Sequence, residues 1–253
     1  MNKNLITLII GAPGSGKSTY SHLLIDFYNS LGRNAIYVNL DCSATSTFDK
    51  KKIDFKNILI GEEILSELHI GTNSSIFFSI EYLQSNLEWL ESEIKTFETK
   101  SKKNYYFFDL PGQIELFTHH CGIRNIIRKL NKNNFFLSSL ILSDSFFWFD
   151  KTNSYMVALS NLMMIFNTEL PFFHVLTKTD LLKKNFITRK TVKKDNFKIY
   201  KKNFKDIFSW SNNLKFSIED IILDFGMINP TPINPFESIH LLNLIKHLDK
   251  SSS

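Results

Sequence analysis

The chain is poor in cysteine: only Cys42 and Cys121 occur in 253 residues. Two cysteines exclude a disulfide framework and point to a reducing compartment, cytosol or nucleus. Long apolar runs are also missing, and nothing approaches the ~18 consecutive apolar residues of a membrane span. No membrane partner is therefore expected. Met1-Asn2-Lys3-Asn4 leads straight into an apolar run, which leaves no room for a signal or transit peptide. Internal repeats and long low-complexity tracts are absent too. Arginine is scarce, with four residues. Acidic residues are outnumbered, giving a net charge of +5 and a pI of about 9.0. A basic balance invites a nucleic-acid reading. The bias toward Lys, Asn, Ile and Phe, with 24 Phe, follows equally well from A- and T-rich codons. Ten Lys or Arg lie in Lys183–Lys205 alone. That segment reads as a solvated helical excursion over about 183–215, with a phosphate-backbone contact surface as the alternative. Direct nucleic-acid binding is not expected.

What is present is concentrated in one stretch. Gly11-Ala12-Pro13-Gly14-Ser15-Gly16-Lys17-Ser18 has the GxxxxGK[ST] form. The apolar run Leu5–Ile10 before it reads as a buried strand. The stretch through Leu23, Leu24, Phe27 and Leu31 after it reads as a helix. Strand, loop and helix in that order are the context a phosphate-binding loop requires. Backbone N–H groups of Gly14, Ser15, Gly16, Lys17, Ser18 and Thr19 can gather on one anion at the positive end of a helix. Lys17 is placed for the β- and γ-phosphates, and the Ser18 hydroxyl for magnesium.

Strands and helices alternate along the rest of the chain. Further strands are expected at Ala35–Leu40, Tyr105–Phe108, Leu137–Leu142 and Phe172–Leu176, with a short last strand near Ile228–Pro235. Helical patterns cover Lys56–Leu68, Ile80–Ile94, Ile114–Leu130, Tyr155–Phe166 and Glu237–Leu248, the last turning Ile239, Leu242, Ile245 and Leu248 inward. The fold class is α/β: a doubly wound, mostly parallel sheet flanked by helices, in one P-loop nucleotide-binding domain over residues 1–253, with a helical insertion at about 56–98.

Ligands of such sheets bind beyond the carboxyl ends of the strands. Asp41, Asp109, Asp144 and the Thr177–Asp180 group all fall there. Asp109-Leu110-Pro111-Gly112-Gln113 has the DxxG form of a γ-phosphate sensor. Asp109 can hold magnesium, the Gly112 N–H can approach a phosphate, and Gln113 can position water. The alternative is the magnesium-holding Asp of an ATPase. Asp41 is a second candidate for orienting the water, with Asp109 preferred. Thr177-Lys178-Thr179-Asp180 has the [NT]KxD form. The Asp180 carboxylate can accept from guanine N1–H and its exocyclic amine, a donor pair adenine lacks, while the Lys178 stem covers the base. A helix N-cap Asp is the alternative. Pro232-Ile233-Asn234 is a candidate last base-contacting loop, its register against Pro230 ambiguous. His119 and His120, adjacent, would point about 100° apart on a helix and do not suit one metal. Phe146-Phe147-Trp148-Phe149 reads as core or a dimer face.

In that order the motifs, with Val38-Asn39-Leu40-Asp41 on the second strand and Gly71-Thr72-Asn73 downstream, resemble the GPN-loop GTPases over nearly the whole chain. The resemblance implies a magnesium-dependent enzyme that binds GTP and GDP and works as a homodimer, or as a heterodimer with a related GPN-loop GTPase. It implies that Asn73 reaches across to the partner's phosphates in place of an arginine finger. It also implies a role in RNA polymerase assembly and nuclear import, with polymerase subunits or assembly factors as partners. Two departures stand out: Thr72 replaces the loop's proline, and Cys42-Ser43 stand where the family usually has Pro-Ala. Asn73 alone would read as a loop residue after a helix capped by Gly71. Two rivals remain: a P-loop nucleotide kinase, against which scarce arginine and the TKxD group argue, and a GTP-binding scaffold or chaperone with negligible turnover.

Overall fold

The computed structural model describes residues 4–42, 51–58, 71–98, 103–133, 135–149, 153–181, 221, 224–225 and 230–251. Seven strands form one sheet: β1 Leu5–Gly11, β2 Asn34–Asn39, β3 Lys52–Asp54, β4 Asn104–Asp109, β5 Phe136–Asp144, β6 Phe172–Thr177 and β7 Thr231–Pro232. Their order is β3-β2-β4-β1-β5-β6-β7, and every pairing is parallel. The helices are α1 Lys17–Ser30, α2 Thr72–Ser85, α3 Leu87–Thr96, α4 Glu115–Thr118, α5 Gly122–Lys132, α6 Ser145–Phe149, α7 Asn153–Thr168 and α8 Ser238–Ser251. From β1 the chain winds one way to β2 and β3, returns to β4, then winds the other way through β5 to β7. This is the doubly wound arrangement, and its reversal beside β1 opens the crevice for a ligand.

Side chains alternate across the sheet with period two. Ile6, Leu8 and Ile10 of β1, Ile36 and Val38 of β2, and Tyr106 and Phe108 of β4 face α2, α3 and α5. Leu5, Ile9, Ala35, Tyr37, Tyr105 and Phe107 face α1 and α8. Both layers are buried, and each fully buried Leu, Ile or Phe contributes roughly 1.5–3 kcal/mol. Among the described residues no helix is long and apolar enough to cross a membrane.

Several helices differ from the sequence expectation. The buried face of α1 is Tyr20, Ser21, Leu24, Ile25 and Tyr28, while Leu31 is exposed. In α8 the inward residues are Leu241, Leu244, Ile245 and Leu248; Ile239 is 65% exposed and Leu242 39%. Steps of three residues drift about 60° each around a helix, so 239-242-245-248 spreads over half its circumference, whereas 241-244-245-248 is the i, i+3, i+4, i+7 stripe that the helical period favours. The expected helix Ile80–Ile94 is two helices. The Asn86 amide donates to Tyr82 O at 2.8 Å, competing with the helical backbone, and the chain breaks there. Ile114–Leu130 is likewise split: His120 leaves the helix and its Nδ1 accepts the Gly122 N–H at 3.0 Å, opening α5. Strand β3 was not anticipated. It has three residues and is tied to β2 by the Asn39 amide on Asp54 at 3.0 Å. A 3-10 turn at Phe55–Asn57 follows. The rest of the helical pattern to Leu68, and the basic excursion 183–215, lie outside the described residues.

Candidate nucleotide site

The loop after β1 is shaped by glycine. Gly14 and Gly16 have φ of 73° and 91°, a region side chains disfavour. The turn closes with Ser15 N–H on Ala12 O at 3.1 Å and delivers Lys17 to the first position of α1. The Lys17 ammonium donates to Gly11 O at 3.1 Å and Ala12 O at 3.2 Å. Burial pushes its pKa down, and Asp109 and Asp41 pull it back up.

Three strand ends meet this loop. Asp109 closes β4 and is 1% exposed. Its Oδ2 accepts the Tyr37 hydroxyl at 2.8 Å, whereas Oδ1 is buried with no hydrogen-bond partner. Burial raises the Asp109 pKa, and the neighbouring Ser18 hydroxyl, Tyr37 and Lys17 hold it down. An orphaned carboxylate oxygen beside a serine hydroxyl is the hard oxygen donor set that magnesium takes, so Ser18 and Asp109 fit that cation. Gly112 is obligatory for space: a Cβ there would lie 2.5 Å from Lys17 Nζ and 2.8 Å from the Pro13 nitrogen. Asp41 follows β2, its N–H held by Asn39 Oδ1 at 3.1 Å.

Gly14, Gly16, Lys17, Ser18 and Thr19 line a cavity of about 480 Å³, together with Asp41, Gly112, Gln113 and Lys178. Ile76 of α2 closes one side, a contact the sequence reading did not foresee. Gly71 is the N-cap of α2, and Thr72 and Asn73 form the first turn; the segment before Gly71, where the sequence placed a helix, lies outside the described residues. Thr72 thus holds the first helical position, one that accommodates proline. Asn73 stands three residues before Ile76.

The other side of the site, where the sequence places a base reader, is assembled from β5 and β6, whose last residues Asp144 and Thr177 lie side by side. The buried Thr177 hydroxyl shares its proton between Ser15 O at 2.8 Å and Ser143 O at 3.2 Å. This single group pins β6 to both the phosphate loop and β5. Lys178 follows in the left-handed region, φ 56°, and its ammonium pairs with Asp144 Oδ2 at 2.8 Å. Asp144 was recognisable only as a strand end; its grip on Lys178 needed the structure. Asp180 is exposed beyond the turn. Asn234 is not in the cavity wall. Its Oδ1 accepts the Phe236 N–H at 3.1 Å and its amide donates to Glu237 at 3.3 Å, building the turn into α8.

A glycine-rich loop, a buried carboxylate and the Thr177–Asp180 turn at one edge of a parallel sheet define a P-loop nucleotide-binding protein. A family described as a conserved hypothetical ATP binding protein matches residues 9–253. The chain is 30% identical to GPN-loop GTPase 2 of Danio rerio, spanning 97% of this chain and 79% of that one. It is 32% identical to GPN-loop GTPase 3 of Eremothecium gossypii, spanning 96% and 89%. It shares its fold with a GTPase of Pyrococcus abyssi crystallised in apo form, at a TM-score of 0.76 and 19% identity over 98% of this chain and 97% of that one. The chain belongs to the GPN-loop GTPase family.

Proposed function

We propose that this chain binds GTP with magnesium and hydrolyses it as a dimer. The observation that carries the reading is the Thr177 hydroxyl bond to Ser15 O, which ties the guanine-type turn to the phosphate loop; Lys178 of that turn lines the same cavity as the loop. Lys17 and the loop N–H groups hold phosphates; Ser18 and Asp109 would hold the magnesium, which offsets charge on the transferring phosphate. Gln113, in the cavity wall, orients water, with Asp41 available beside it. Asp180 presents an open carboxylate to the base edge, and Lys178 flanks it. Asn73 of a second chain, identical or related, donates to the phosphates there. The resemblance supports cargo among RNA polymerase subunits or their assembly factors, in cytosol and nucleus.

The test is nucleotide choice. GTP should be hydrolysed and ATP spared, and Asp180→Asn should weaken GTP binding about a hundredfold, since two hydrogen bonds to a charged acceptor are lost. Unchanged affinity in that variant would remove Asp180 from the site. Phosphate transfer from ATP to a nucleoside monophosphate would identify a kinase instead, and tight GTP binding without turnover a scaffold.

A further inference from the structure

Strand register brings a phenol to the carboxylate at the phosphate end. Tyr37 of β2 is aligned with Phe107 of β4, and Asn39 with Asp109. Tyr37, Phe107 and Asp109 therefore fall on one face, the side on which α1 packs, with Tyr37 and Asp109 diagonal neighbours. The Tyr37 ring is fully buried and braced by the His22 ring, edge-on at 4.9 Å. Its hydroxyl reaches Asp109 Oδ2 at 2.8 Å. A phenol is protonated at neutral pH, so the hydroxyl donates and the carboxylate oxygen accepts. Asp109 is left with one engaged oxygen and one buried oxygen that has no partner.

We infer that Tyr37 is a positioning residue for the metal-binding carboxylate: it holds Asp109 Oδ2 and so presents Oδ1 to a divalent cation beside Ser18. The inference rests on the magnesium-dependent reading above. A carboxylate fixed through one oxygen cannot rotate to chelate through both, nor swing toward Lys17. A free carboxylate would lose rotational freedom on binding the cation; this one has already lost it. Tyr37 touches neither nucleotide nor metal and acts through Asp109 alone.

The experiment uses the full chain and a fluorescent GTP analogue, with binding followed first in EDTA and then along a magnesium titration. Tyr37→Phe keeps the ring and its contact with His22 and removes only the hydroxyl. The expected result is a rise of about five- to tenfold in the magnesium concentration at half-effect, with nucleotide affinity in EDTA unchanged. A purely structural tyrosine would lower thermal stability and leave the magnesium midpoint in place; a midpoint within twofold of wild type overturns the inference. Tyr37→Val, a good strand residue with no donor, must shift the midpoint the same way. A wild-type chain that binds the analogue with no magnesium response would overturn the metal reading together with this inference, whereas a response in wild type with an unmoved midpoint in the variants overturns the inference alone.

Discussion

The two ends of the cavity are built differently. At the phosphate end, Lys17, Ser15, Asp109 and Tyr37 are buried, and a single added methyl at Gly112 would strike the lysine nitrogen. Position there is enforced by packing. At the base end, Asp180 is exposed, Lys178 is half-exposed, and order comes from one shared hydroxyl proton and one ion pair. On the proposed reading, chemistry common to all triphosphates would reside in the core, and the choice among bases at the rim. Damage at the first end should cost affinity for every nucleotide. Damage at the second should change preference.

Lys17→Ala gives the largest effect expected. It removes the buried ammonium and its charge-assisted hydrogen bonds to phosphate, and affinity for GTP and ATP analogues alike should fall about a hundredfold or more. Isothermal titration with both analogues checks this, and a loss confined to GTP would break the division between the ends. Asn73→Ala comes next. If a second chain completes the phosphate end, turnover should fall by about tenfold while GTP affinity stays nearly intact. Specific activity measured against protein concentration separates the two contributions: the wild type should gain activity on dimerising, and the variant should not. Equal turnover would leave Asn73 as a helix-starting residue and the phosphate end complete within one chain.

The same contrast decides how much was legible in the sequence. Gly14, Gly16, Lys17, Ser18 and Asp109 were readable because backbone geometry and phosphate chemistry permit few alternatives at those positions. The strand pattern was readable because both faces of the sheet are covered, which makes near-continuous apolar runs. The α8 stripe was half misassigned because steps of three residues were followed where the helical period alternates three and four; Ile245 and Leu248 belong to the inward stripe, and Leu241 and Leu244 complete it. Breaks at Asn86 and His120 were invisible for another reason: each rests on one side chain preferring a backbone partner over the helical ladder. Tyr37 looked like an ordinary strand aromatic. Its importance comes from register with β4, which no local pattern encodes. Asn234 was drawn toward the base by motif order, and the structure spends its amide on the turn into α8.

The smallest effect probes the rim itself. Asp144→Asn removes the charge that anchors Lys178 while keeping the side chain's shape and its acceptor for the Phe146 N–H, now 2.9 Å away. The Lys178 side chain is 37% exposed and that of Asp144 13%, so solvent screens much of the attraction. A pair of this kind is worth about 0.2–1 kcal/mol, which corresponds to at most about a fivefold loss of GTP affinity. Lys178 keeps its left-handed backbone through Thr177 on one side and the turn bond from Leu181 N to its carbonyl, 3.1 Å, on the other. The stem should therefore remain near the base and only its rigidity should drop. Competition between GTP and ATP analogues measures the effect directly. A several-fold drop in GTP preference with unchanged thermal stability places base selection in polar contacts at the rim. An equal loss for both nucleotides would show that the ion pair supports the phosphate loop through Thr177 and Ser15, and the two ends would then act as one unit.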